Sequence, residues 1–102
     1  MEKKFKGAYK KFLETWGVDV QSTMAIEEMS ELTKAICKEK RYRDLGGNHE
    51  EALNNLIEEI ADVLNMAEQL EYVYGEEKIE KIREQKIERT LKKIEEEQCK
   101  KK

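Results

Sequence analysis

Two short stretches of the chain place carboxylates where they can act together. "AIEEMSEL" at 25–32 carries Glu28 and Glu31 three residues apart, and "LIEEIADVL" at 56–64 repeats the arrangement with Glu59 and Asp62. Residues three apart on a helix are neighbours, so each stretch sets an acidic pair along one edge. Four ionised acids gathered in a partly dehydrated cleft repel one another, and a hard divalent cation bound through oxygen is the usual remedy. Mg²⁺ suits such a set best, with Mn²⁺ as a substitute, because it takes a few carboxylates together with water and phosphate oxygens. Softer metals bring histidine or cysteine, and His49 is the single histidine.

One acidic pair alone means little in a chain with 23 acidic residues. Most such pairs are solvated surface, or partners of lysines such as Lys34 and Lys38. Two pairs on consecutive helices, both bordering apolar stripes, point together to a metal site. Their convergence requires the two helices to pack antiparallel across a short loop.

The elements that must position these acids are legible from their punctuation. A first helix is expected from about Lys4 to Trp16, with Phe5, Ala8, Tyr9, Phe12, Leu13 and Trp16 at helical spacing and Gly17 ending it. A second opens after Asp19 as N-cap and runs to about Arg43. "DLGGNHEE" breaks the chain, and Asn48 with Glu51 has capping-box spacing for a third helix reaching Tyr74 before Gly75. The fourth carries Ile79, Ile82, Ile87, Leu91 and Ile94 as a narrow stripe on a highly charged helix, which packs on one side only or against a partner chain.

Advancing about 100° per residue places Ala25, Met29, Leu32 and Ile36 on one side of the second helix and Glu27, Lys34, Lys38 and Arg41 opposite, with Glu28, Glu31 and Ala35 between. On the third, Leu53, Leu56, Ile57, Ile60, Leu64 and Ala67 form the expected core stripe. Glu59 and Asp62 lie on its flank, near Val63 and Met66.

Composition sets the class. With 42% charged residues, no proline and only five glycines in 102 residues, the chain is an all-α single domain spanning 1–102. So small a domain buries only a modest share of its apolar surface, which favours self-association. Twenty basic and 23 acidic residues are mixed along the chain for a net charge of −3, leaving no broad basic field for nucleic acid. The closing "KKK" reads as a solvated tail. Cys37 and Cys99 match no metal or redox spacing and are expected as free thiols in a reducing cytoplasm. No apolar run approaches the ~20 residues of a membrane span, and "MEKKFKGAYKKF" lacks the apolar core of a signal peptide.

The pattern of "EEMSE" at 27–31 and "EEIAD" at 58–62, ExxE on one helix and ExxD on the next, resembles the signature of the MazG-like all-α nucleoside triphosphate pyrophosphohydrolases. "TWGVDVQSTMAIEEMSEL", "KEKRYR" and "NLIEEIADVLNMAEQL" widen the likeness to the short single-domain members of phages and Firmicutes, over about residues 12 to 95. The resemblance implies a four-helix MazG-like bundle whose active site is completed by oligomerisation, as a homodimer or homotetramer. It implies Glu28, Glu31, Glu59 and Asp62 as metal ligands and catalytic groups, with Glu27 and Glu58 as surface or outer groups. The implied reaction is Mg²⁺-dependent hydrolysis of a (d)NTP between the α and β phosphates, giving the monophosphate and pyrophosphate, in the service of nucleotide-pool housecleaning. Glu31 or Glu28 is the candidate base.

A triphosphate also needs cationic partners. Lys38, Arg41 and Arg43 end the second helix, and Lys86 and Arg89 form a "KxxR" that resembles a basic pair following the acidic motifs in this family. Trp16 either stacks on a base or, the stronger expectation, caps the core. Asn65, one turn beyond Asp62, is placed to meet sugar or base. His49 is expected only to start its helix, and Met24, Met29 and Met66 to pack the bundle, Met66 nearest the acids. The competing reading is a non-catalytic helical interaction protein with a fourth helix that oligomerises. A di-iron carboxylate bundle is disfavoured, because such sites use Glu-x-x-His motifs and neither stretch carries the histidine.

Overall fold

The computed structural model describes residues 4–100, so the terminal lysines Lys101 and Lys102 and the first three residues lie outside it. The described residues form four α-helices and no strand: α1 (Lys6–Trp16), α2 (Val18–Leu45), α3 (His49–Tyr74) and α4 (Glu76–Lys100). None is long and apolar enough to cross a membrane.

Glycines make the breaks. Gly17, at φ +87°, turns the chain within one residue, its N–H donating to the Leu13 carbonyl at 2.9 Å. Consequently α2 starts at Val18, and Asp19 sits in its first turn rather than at the N-cap, where its charge still complements the helix dipole. The expected cap of α3 is present: the Asn48 side chain accepts from the Glu51 N–H at 3.1 Å and donates to its carboxylate at 3.2 Å. At Gly47 (φ +127°) the backbone passes so close to the Tyr42 ring that a Cβ would lie 3.0 Å from it.

Helices α2 and α3 fold back on each other as an antiparallel hairpin, by far the main packing of the chain. The seam of α2 runs through Gln21, Ala25, Glu28, Leu32, Ala35, Glu39 and Tyr42, and that of α3 through Ala52, Leu56, Glu59, Val63, Met66 and Leu70, all buried or half-buried. Both follow the alternating four-and-three spacing of a coiled-coil stripe. The seam's most buried members are small: Ala25, Ala35 and Ala52, at 2% exposure. Three of its layers are polar. Gln21 Nε2 donates to Gln69 Oε1 at 2.9 Å, Glu28 faces Glu59, and Glu39 meets His49 Nε2 at 2.8 Å with the Arg43 guanidinium at 3.7 Å.

Of the expected core stripe, Ala25, Leu32 and Leu56 do lie in the seam, while the rest sits one position beyond it. Met29, Ile36, Leu53, Ile57, Ile60 and Leu64 are exposed, Ile57 at 56%, and Ala67 is exposed as well. Each position follows a seam position by one, and in an antiparallel pair of right-handed helices such positions turn to the same side. Together with Ile26 they make one continuous apolar face on the hairpin. The positions preceding the seam, among them Glu27, Glu31, Lys34, Lys38, Arg41, Glu58, Asp62 and Asn65, make the opposite, polar face.

Helix α1 lies against both α2 and α3 with Tyr9 buried, its hydroxyl donating to Glu68 at 2.8 Å. Trp16 does not cap a core: it is 55% exposed, its ring 5.8 Å from that of Phe12. Met24 and Met29 are likewise exposed, and of the three methionines expected to pack the bundle only Met66 is buried. The backbone of α4 comes near α3 alone, and every position from Lys81 to Lys100 is exposed. The radius of gyration is 17.8 Å, against about 13 Å for a closed globule of this length. Helix α4 thus extends from the body with Ile82, Ile87, Leu91 and Ile94 uncovered.

Candidate metal centre

The acids meet at the middle of the hairpin. One carboxylate oxygen each from Glu28, Glu59 and Asp62 lies within 4.8 Å of the others, so α2 supplies one group and α3 two. Glu28 and Glu59 occupy seam positions and point between the helices; Asp62, one position short of the seam, closes the group from the polar face. The alanine layer at Ala25 and the half-buried Leu32 and Val63 flank them, which is why these glutamates are partly dehydrated although the hairpin is thin.

The electrostatics follow from that placement. Partial burial, then the charges of Asp62 and Glu59, raise the pKa of Glu28 above the ordinary carboxylate range, with further contributions from its hydrogen bond to Asp62 and from Glu31. Glu59 is raised in the same sense by burial, then by Asp62, Glu31 and Glu58. Among the described residues no lysine or arginine pairs with Glu28, Glu59 or Asp62. The Oε2 atom of Glu59 is buried with no hydrogen-bond partner among them. A buried carboxylate oxygen left unpaired beside two further acids is a donor set that fits a cation.

Glu31 stands outside the tight group. It is exposed on the polar face and pairs with Lys34 Nζ at 3.7 Å, close enough to add its charge to both glutamates but with its own carboxylate free to face solvent. Glu27 and Glu58 are exposed.

The remaining expected site residues are spread along the molecule. Asn65 lines a cleft of about 210 Å³ with Phe5, Ala8, Tyr9 and Phe12 of α1. Lys38 and Arg41 each lie over the Tyr42 ring, 5.6 Å from its centroid, toward the loop end of the hairpin. Trp16 remains at the α1–α2 corner, and Lys86 and Arg89 are exposed on the projecting part of α4. His49 does more than start a helix: with Arg43 it is the partner of the buried Glu39. Pairing positions outward from the Gly46–Gly47 turn would have revealed that contact, as it would the Gln21–Gln69 pair.

The acids can hold a divalent cation through oxygen, while the two cysteines are free, exposed and not part of the group. No protein-family model, curated protein or solved structure matches this chain.

Proposed function

We propose that this protein is a Mg²⁺-dependent nucleoside triphosphate pyrophosphohydrolase of the MazG-like type, acting in the cytoplasm as a homodimer or homotetramer. The observation that carries this reading is the convergence of Glu28, Glu59 and Asp62 within 4.8 Å, with Glu59 Oε2 unpartnered. Ligands on opposite sides of Mg²⁺ stand about 4.2 Å apart, twice its metal–oxygen distance. Adjacent ligands stand about 3 Å apart, so the three flexible side chains would close in around the ion, and the all-oxygen donor set suits Mg²⁺ and Mn²⁺.

A divalent ion held there supplies charge neutralisation on the phosphates and acidifies water. Glu31, on the solvent rim beside the three ligands, is the group best placed to accept the proton of the attacking water. The water oxygen bonds to the α-phosphorus, the bond to the bridging oxygen breaks, and pyrophosphate leaves. Assembly is supported by the apolar face built from Ile26, Met29, Ile36, Leu53, Ile57, Ile60 and Leu64, which one chain leaves in water. In the assembly, Lys86 and Arg89 serve a neighbouring copy's phosphates.

The test is incubation with a panel of dNTPs and NTPs plus Mg²⁺. Pyrophosphate is the expected product, and Glu59→Gln is expected to abolish its release while leaving the helical content intact. Calorimetry separates this reading from a non-catalytic helical module: Mg²⁺ and Mn²⁺ affinity should vanish in Glu28→Ala and Asp62→Ala. Orthophosphate alone, or no turnover of any nucleotide, refutes the reading.

A further inference from the structure

The polar face of the hairpin has a direction. Because α2 and α3 run antiparallel, moving C-terminally from Glu31 leads toward the Gly46–Gly47 loop, whereas moving C-terminally from Asp62 leads away from it. The two sides of the acid cluster differ in chemistry. On the loop side, Lys34, Lys38 and Arg41 follow Glu31 on the same line of α2, about 4.5, 10 and 15 Å further along its axis. Lys34 already touches Glu31 at 3.7 Å, and Tyr42 holds Lys38 and Arg41 over its ring. On the other side, Asn65 lies one turn beyond Asp62 and opens into the apolar cleft formed with Phe5, Ala8, Tyr9 and Phe12.

A nucleoside triphosphate is polar in the same way, with a flat, hydrogen-bonding base at one end and an anionic tail at the other. Resting on the function proposed above, we infer that the substrate lies lengthwise on this face. The nucleoside enters the α1 cleft at Asn65, and the β and γ phosphates run along Lys34 and Lys38 toward Tyr42. Lys34 is thereby assigned as a positioning residue for the leaving pyrophosphate. The aromatic walls offer a stacking surface, and the Asn65 amide offers one donor group and one acceptor to a base edge. Breakage at the acid cluster then separates the substrate into two products held at opposite ends, each with its own determinants.

That separation makes the inference testable by binding. Inorganic pyrophosphate and a nucleoside monophosphate are titrated separately into the protein by calorimetry, with Mg²⁺ present. The Lys34→Ala/Lys38→Ala double variant is expected to bind pyrophosphate about tenfold more weakly, as the loss of two solvent-exposed ionic contacts implies. Its monophosphate affinity should hold within about twofold, and Lys34→Arg with Lys38 intact should bind pyrophosphate like the wild type. Phe12→Ala and Asn65→Ala should show the converse. Equal losses for both ligands, or the reverse pairing of variants and ligands, overturn the inference while leaving the proposed hydrolase intact. A wild-type protein that binds neither ligand and releases no pyrophosphate from any nucleotide overturns both.

Discussion

Replacing Ile57 by glutamate probes the apolar face where the structure makes the outcome calculable. Ile57 is 56% exposed, and burying an isoleucine side chain completely yields about 1.5–3 kcal/mol. Covering the part still in water therefore contributes about 0.8–1.7 kcal/mol per copy, or about 1.7–3.4 kcal/mol to a symmetric pair. At 1.4 kcal/mol per decade, its loss weakens association roughly 15- to 300-fold. The introduced carboxylate, which has no basic partner on this face between Ile26 and Ile36, adds to that. Sedimentation velocity over a concentration series measures the effect, with Asn55→Glu on the opposite face as the matched control. The reasoning fails if the wild type stays monomeric throughout, if Ile57→Glu associates as tightly as the wild type, or if Asn55→Glu weakens association as much.

Three further outcomes follow from local geometry. Glu28 and Glu59 hold their protons more tightly when folded than when unfolded. Without metal, stability should fall as pH rises from the ordinary glutamate value of about 4.3 through the raised values. Mg²⁺ competes with those protons and should flatten or reverse the slope of the urea midpoint against pH; a metal-free midpoint that climbs through that window contradicts the assignment. His49→Ala removes the nearest partner of a buried carboxylate at Glu39 and should lower unfolding stability by about 1–3 kcal/mol. Gly47→Ala places a Cβ at positive φ and 3.0 Å from the Tyr42 ring, and should lose about 1–3 kcal/mol in urea denaturation.

How far these features were legible in advance depended on which physical signal carried them. The helix boundaries were readable because glycine at Gly17, Gly46, Gly47 and Gly75 interrupts long helix-forming runs, and because Asn48 caps by a local mechanism. The grouping of Glu28, Glu59 and Asp62 was readable from spacing plus the antiparallel turn. The side of each helix that meets its own chain was not. α2 and α3 each carry two adjacent stripes, and a 100° periodicity does not separate them, so the expected stripe mixes Ala25, Leu32 and Leu56 of the seam with Met29, Ile36, Leu53 and Ile57, which this chain leaves in water. The stripe used internally interleaves alanines and polar residues with Leu32, Leu56, Val63, Met66 and Leu70. Small residues permit close approach of the two backbones, and Gln21, Glu39 and His49 find partners only once the hairpin's register is known. Glu31 was grouped with the other acids by sequence spacing alone, while in space it sits on the rim beside Lys34.

The three polar layers inside the hairpin also work as an alignment code. On α2 they sit at Gln21, Glu28 and Glu39, an uneven spacing that only one overlap with α3 satisfies. Sliding α3 by one heptad would set Gln69 near Glu28 and Asp62 near Ala35, and would leave both Gln21 and Glu39 without a counterpart. Uniform leucine layers would tolerate that slip; these do not. Residues inserted into the glycine loop should accordingly leave the pairing of the two helices unchanged, with the extra chain looping out.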